Sequence, residues 1–385
     1  MVKLKQKMQV AEPHESTGET HMTSRKAFIT GASAFGAALA FDGCAGGRSA
    51  AAWQPEKPWK GFNFVDMLKC PSQALHDADE RIRGYFPEEE FLFLRDWGFN
   101  FARLALDYRC FAKDGDWERF DEAQLAKLDA AVEYGRRHGI HVQICLHRIP
   151  GFCIIQPKEP RDLFYDPLVQ GVACDWWKMF ARRYRGISNE RLSFNLFNEP
   201  PYGLKDQSRY PVVARKLVEA IRDVDPSRYV VADGYHCGRK PIPELDDIPG
   251  LAYGFHVYDP REISHYKVVD GLTFPDPCVW PPAGVKDGVA YLRERYYRVW
   301  EPALAKGRRV VCGEIGVTRE TPQAAALGWV EDNLKLLNEY GMGYAFWSLV
   351  GDMGVLNNGR KDVPLEDFHG YKLDRQLLEL LRRYV

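Results

Sequence analysis

The chain of 385 residues has no apolar run approaching the ~20 consecutive residues a membrane-spanning helix needs, which excludes a polytopic membrane protein. A surplus of one charge is missing as well. The 52 Lys and Arg against 53 Asp and Glu leave a formal charge of −1, so no basic excess exists to neutralise nucleic-acid phosphates. No GxGxxG, P-loop or GxSxG segment occurs, which removes the usual signatures of dinucleotide binding, triphosphate binding and α/β-hydrolase chemistry. Nine cysteines are present, yet none form a CxxC pair or share metal-ligand spacing, and no zinc site is expected. The remainder is ordinary globular composition, 45% apolar and 27% charged, which excludes wholesale disorder.

Residues 1–52 read as a leader outside the fold. A polar, irregular start is followed by Arg25 and Lys26, then an Ala- and Gly-rich apolar stretch from Ala27 to Phe41, then small residues from Gly43 to Ala52. Positive end, apolar middle and small residues at the cut are the order of a secretory signal. Ser24-Arg25-Lys26-Ala27-Phe28 is similar to a twin-arginine signal with Lys in the second place. Gly43-Cys44 is similar to a lipoprotein cleavage site, although Asp42 fits poorly where a small uncharged residue is usual. The expectation is export to the periplasm, the exterior or the cell envelope, with Cys44 as a candidate lipid anchor.

From Trp59 the chain alternates strand and helix patterns through residues 53–385. Strands are expected at Gly61–Leu68, Phe101–Tyr108, Ile140–His147, Leu192–Glu199, Tyr229–Asp233, Leu251–Tyr258, Arg309–Glu314 and Tyr344–Ser348. Helices are expected at Glu88–Trp97, Asp121–His138, Leu168–Arg185, Pro211–Val224, Asp287–Lys306, Thr321–Tyr340 and Asp374–Tyr384, with breaks such as His138-Gly139 ending them. The stretch after the fifth strand is short and Pro-rich, and no full helix is expected there. Eight strands alternating with helices predict an α/β protein, a single (β/α)8 TIM barrel. The alternative, an open doubly wound sheet, normally stops at six or seven strands and often carries a Gly-rich phosphate turn.

A barrel demands that its chemistry stand where strands end. Polar residues gather there: Arg103 and Asp107, His147, Asn198 and Glu199, His256 and Tyr258, and Glu314. Strand parity supports this. Val142, Ile144 and Leu146 share the face that suits a helix layer, which leaves Gln143, Cys145 and His147 pointing into the barrel. On the same rule Phe197 and Glu199 share the inner face of the fourth strand. Two carboxylates on different strands, with no metal set and no nucleophilic Ser or Cys motif, suggest glycosidase chemistry. In that chemistry one carboxyl protonates the leaving oxygen, while the other attacks the sugar or activates water.

Asn198-Glu199-Pro200 and Gly313-Glu314-Ile315-Gly316 make the sequence resemble glycoside hydrolase family 5, the cellulase family of retaining barrel enzymes, over about 61–350. The resemblance implies roles for eight positions in chain order. Arg103 in Asn-Phe-Ala-Arg-Leu supports the nucleophile, and His147 is the histidine of the third strand. Asn198 binds the sugar 2-hydroxyl, and Glu199 is the acid/base. His256 and Tyr258 are the sixth-strand pair, whose tyrosine hydrogen-bonds the nucleophile. Glu314 is that nucleophile, and Trp347 in Phe-Trp-Ser floors the sugar site. Glu199 must carry a proton as substrate arrives, and Glu314 must not.

No metal or organic cofactor is required by this chemistry. The partner implied is an oligo- or polysaccharide, and a monomer is expected. Within the family specificity lies in the loops. The loop Asp270–Lys286, containing Pro275-Asp276-Pro277-Cys278-Val279-Trp280, follows no family pattern and leaves the substrate open. Endo-action on β-1,4-glucan is the expectation, with β-mannan or another β-linked glycan behind it. A non-catalytic sugar-binding barrel is disfavoured because both carboxylates are present.

Overall fold

A computed structural model of the protein describes residues 54–68, 82–201 and 203–385. The expected leader with Cys44, and the segment with Cys70, lie outside the described residues.

Eight parallel strands close into a ring: β1 (Lys60–Phe64), β2 (Phe101–Asp107), β3 (His141–Ile149), β4 (Leu192–Asn195), β5 (Val230–Asp233), β6 (Leu251–Val257), β7 (Val310–Ile315) and β8 (Gly343–Phe346). Each pairs with its sequence neighbours, and β1 pairs with β8 to complete the circle. The protein is therefore a (β/α)8 barrel.

The surrounding helices are α1 (Glu88–Trp97), α2 (Glu122–His138), α3 (Pro167–Arg183), α4 (Arg209–Arg222), a run over 288–305 (α5), α6 (Gln323–Glu339) and α7 (Arg375–Arg382). Their ends follow local chemistry. The Asp121 carboxylate accepts from the N–H groups of Ala123 and Gln124 at the start of α2. Gly139 ends that helix at φ 73°, a left-handed conformation where a Cβ is costly. After β5 only a short helical turn at Tyr235–Gly238 and a 3-10 turn at Pro243–Leu245 appear, in line with the Pro-rich sequence. No described helix is long and apolar enough to cross a membrane.

Alternation along the strands divides the core in two. Outward residues such as Leu104, Ile144, Phe194 and Tyr344 pack under the helices with Trp176, Trp177, Trp300 and Trp329. Inward at the N-terminal end of the ring, Trp59, Phe101, Tyr229, Val231, Ala252, Val311 and Ala345 form a separate plug. The C-terminal end of the ring is filled instead by polar groups, and those groups make the site.

Candidate active site

Glu199, His256 and Glu314 present one ligand atom each within 4.8 Å of one another at the mouth of the barrel. They arrive by different backbone devices. The ladder of β4 ends at Asn195, and parity then breaks: Phe197 turns outward into the helix layer, against the expectation that it points inward. Asn198 turns inward in its place, because its carboxamide oxygen receives Arg103 Nη2 at 2.7 Å. Glu199 follows with φ 49°, a left-handed conformation that costs about 1 kcal/mol or more in a non-glycine residue. Its N–H is held by Asp233 Oδ2 at 3.0 Å.

Register shifts deliver the partners. One lies between Phe255 and His256 on the β6–β7 ladder, and another between Cys312 and Ile315 on the β7–β8 ladder. Cys312 and Ile315 both face the helices, so strict alternation would carry Glu314 outward with Cys312. The irregularity swings Glu314 into the mouth.

Arg103 is wholly buried at the centre of the site. Its guanidinium donates to Glu314 Oε1 at 3.1 Å, to Asn63 Oδ1 at 2.8 Å, and to Asn195 Oδ1 from Nε and Nη2 at 3.0 and 2.9 Å. A buried cation so surrounded is fixed in place and compensated by carboxylate. The second Glu314 oxygen accepts the Tyr258 hydroxyl at 2.8 Å. Burial pushes the Glu314 carboxyl above its usual range, and Glu199 adds to the rise; His256, Arg103 and the Tyr258 hydrogen bond oppose it. Glu314 collects the Arg103 and Tyr258 donors, both of which favour charge on its carboxylate.

His256 bridges the pair to Asp233. Nδ1 lies 3.0 Å from Glu199 Oε1, and Nε2 lies 3.2 Å from Asp233 Oδ2. Burial works against its charge, yet Asp233 and Glu314 outweigh it and push its pKa up to about 10. An imidazolium offers no lone pair, so the trio of Glu199, His256 and Glu314 is a proton-handling cluster and a poor cation site. Burial instead holds His147 neutral, with Arg103 and His256 adding to the effect. Its ring lies 5.4 Å from that of Trp347. Trp347 is half-buried on a small apolar base of Val65, Leu68, Ala105 and Ile82. Two polar atoms of the site, Asn198 Nδ2 and His147 Nδ1, are buried with no hydrogen-bond partner among the described residues. Unpaired buried polar atoms of this kind are groups a ligand would satisfy.

All eight sequence-expected positions thus gather at one end of the ring. Asp107, at a strand end too, does not join them: it pairs with Arg109 and Arg148 under a neighbouring loop. Asp233, Asn63 and Asn195 are absent from the sequence-expected set, although they orient Glu199, His256 and Arg103. The sequence does hold a signal for them, since each is a polar residue within or at the end of an expected strand. Burial pushes the Cys145, Cys153 and Cys312 thiols upward, so none of these three offers a thiolate nucleophile.

A (β/α)8 barrel with paired carboxylates over a tryptophan platform defines a glycoside hydrolase. The family model for cellulase, glycosyl hydrolase family 5, matches residues 85–352, and the chain belongs to that family. A solved glycoside hydrolase structure superposes with TM-score 0.76 at 33% identity, covering 85% of this chain and 99% of that one. Endoglucanase C of Acetivibrio thermocellus is 25% identical over 318 residues, 75% of this chain and 91% of its own. Cellodextrinase A of Ruminococcus flavefaciens is 25% identical over 295 residues, 74% of this chain and 83% of its own. The protein is a cellulase-like glycoside hydrolase.

Proposed function

We propose that the protein cleaves β-1,4-glucan chains internally by double displacement with retention of configuration. The observation that carries the retaining reading is the approach of Glu199 and Glu314 oxygens to within 4.8 Å. Retaining enzymes hold their carboxyl groups about 5–5.5 Å apart, whereas inverting ones leave about 6.5–9.5 Å for a water. In the first step the ionised Glu314 attacks the anomeric carbon while Glu199 gives its proton to the departing glycosidic oxygen. A glycosyl ester on Glu314 results. In the second step Glu199, now a carboxylate, takes a proton from water, which attacks the same carbon and frees Glu314.

Arg103 and Tyr258 suit the first step because they favour charge on Glu314 before attack. Asn198 Nδ2, unpaired beside them, is placed to donate to a sugar hydroxyl. Trp347 offers a flat apolar face for a sugar ring. The glucan preference rests on the endoglucanase and cellodextrinase relatives, and the reading extends to an exported enzyme whose leader is residues 1–52.

The test is a panel of β-linked polysaccharides followed by NMR of the first-formed product. Cleavage of soluble β-1,4-glucan giving β product first is expected. Glu314→Gln should abolish turnover of every substrate, and Glu199→Ala should recover with azide to give a β-glycosyl azide. An α product formed first would defeat the retaining mechanism, and exclusive cleavage of mannan or xylan would replace the substrate.

A further inference from the structure

The chain that leaves β1 through Val65 and Leu68 comes back at Ile82 against the same spot. Val65, Leu68 and Ala105 make a small apolar base, and both Ile82 and Trp347 pack on it. The Gly84 N–H donates to Asp66 O at 3.0 Å, which draws the two sides of this segment together. Arg83, next to Ile82, does the rest. Its Nε donates to Asp66 Oδ1 at 2.6 Å, and its Nη2 donates to Glu90 Oε1 at 2.7 Å. Its Nη1 donates to the Tyr371 hydroxyl at 3.0 Å, and that hydroxyl donates in turn to Glu90 Oε1 at 2.9 Å. Glu90 stands in the first turn of α1, and Tyr371 in a hairpin that pairs Glu366–Phe368 with Tyr371–Leu373. One guanidinium thus joins the loop after β1, the helix α1 and the hairpin that follows β8.

Charge in this junction does not balance. Asp66 and Glu90 are both buried, at 2% and 0% exposure, and Arg83 answers the two of them alone among the described residues. Glu89 adds to the negative field, and its own partner is His369 at 3.0 Å. The second oxygen of Glu90 is buried with no hydrogen-bond partner among the described residues. Burial pushes the Asp66 carboxyl up to about 8; Glu90 adds to the rise and Arg83 opposes it. Burial raises Glu90 as well, and it keeps the Tyr371 hydroxyl neutral, pushed up to about 12. An acid raised in the closed arrangement favours that arrangement most at low pH. The preference is fullest below the ordinary carboxylate range, falls as pH rises, and levels off above about 8.

We propose that Arg83 is a positioning residue for substrate binding: it latches Ile82 in place, and Ile82 keeps the base under the Trp347 platform closed. The inference rests on the reading of Trp347 as the surface that carries a sugar ring, and goes beyond it. A flat indole meets a sugar face at one height and tilt, and the apolar base beneath it sets both. That contact serves bound substrate and transition state alike, so loosening it weakens binding without slowing the chemistry. Arg83 suits the task because its planar fork reaches Asp66, Glu90 and Tyr371 at once, a geometry that a lysine ammonium does not reproduce. The second buried negative charge gives the latch a pH dependence, tighter at acid pH and looser toward about 8.

The experiment measures kcat and KM at pH 6 and pH 8 on the soluble β-glycan that the protein cleaves, with urea midpoints beside them. At pH 6 Arg83→Ala should raise KM about tenfold with kcat within about threefold of wild type, and Arg83→Lys should restore part of the loss. Ile82→Ala leaves the ion pairs intact, so it decides the matter even where Arg83→Ala fails to fold. It should raise KM about threefold at an unchanged kcat. Glu90→Gln removes the surplus charge and keeps the shape of the side chain. Wild-type KM should rise about threefold or more from pH 6 to pH 8, and Glu90→Gln should flatten that rise. An unchanged KM in Ile82→Ala, or the same rise in wild type and Glu90→Gln, overturns the latch. Failure of the platform reading looks different: Trp347→Ala then leaves KM unchanged, whereas failure of the latch alone leaves KM raised in Trp347→Ala and at the wild-type value in Ile82→Ala.

Discussion

At the scale of single residues, Asp233 does more than any side chain that touches substrate in the proposed mechanism. Its carboxylate accepts from the Glu199 N–H at 3.0 Å and from Asn195 Nδ2 at 2.9 Å, and it faces His256 at 3.2 Å. Burial opposes its charge, yet His256, Arg103 and the Glu199 N–H hold it well below the usual aspartate range. Asp233→Asn should remove the main support for the proton on His256. NMR of the ring protons should then show titration well below the wild-type value of about 10. The linkage has a definite sign. His256 is raised in the folded state, so its stabilisation is complete below the ordinary histidine range and is lost as pH rises through about 10. Asp233 is depressed, so its share is present above the ordinary aspartate range and is lost as pH falls through its lowered value. Urea unfolding should therefore show the wild-type advantage over Asp233→Asn at its largest between the ordinary aspartate and histidine ranges, narrowing from neutrality toward pH 10. A constant gap would mean that Asp233 acts only through hydrogen bonds.

At the scale of elements, the β7 irregularity decides whether a carboxylate faces sugar or helix. Gly313 stands at that point because a Cβ there would lie 2.8 Å from His256 Nε2. The ring cannot retreat, since Asp233 and Glu199 hold it from both nitrogens. Gly313→Ala should destabilise by about 1–3 kcal/mol, read as a lower urea midpoint with an unchanged slope. It should also lower kcat/KM, because the ring and Glu314 move together. An unchanged midpoint would show that β7 relaxes freely and that the position is not sterically set. The same element shows how far the sequence can be read. Strand and helix order, the weak fifth crossover and the inward His147 follow from apolar alternation and Gly-Pro punctuation, which are local signals. Parity fails at Phe197 and would send Glu314 outward, because a register shift and a left-handed residue are set by neighbouring strands. Glu314 is legible through its Gly-Glu-Ile-Gly motif, while Asp233 at the end of β5 carries no motif to mark it.

At the scale of the whole molecule, stability and chemistry are separated along the barrel axis. The proposed leader predicts that mass spectrometry of protein from the native host finds an N-terminus between about residues 43 and 53, with lipid on Cys44 if the anchor is used. An intact start would remove the export reading. Just beyond that segment the chain is already structural. Trp59 closes the N-terminal end of the ring, stacked on His141 with centroids 3.6 Å apart and edge-on to Tyr229 at 5.7 Å. Burial holds His141 neutral, down to about 3, so this contact is apolar packing and not a cation over a ring. The Trp59 carbonyl also accepts from the Tyr344 N–H at 2.7 Å, which seats the segment before β1 against β8. Removing the indole leaves a cavity that inward-facing strand residues cannot fill without shifting the ring. Trp59→Ala should therefore cost about 3–5 kcal/mol in urea unfolding. Activity per folded molecule should stay near wild type, because the carboxylates stand at the other end of the strands and the N-terminal face of such a barrel serves stability. A variant of wild-type stability would show that the plug is dispensable. A variant that stays folded but loses kcat would show that the two ends of the barrel are mechanically coupled rather than separate.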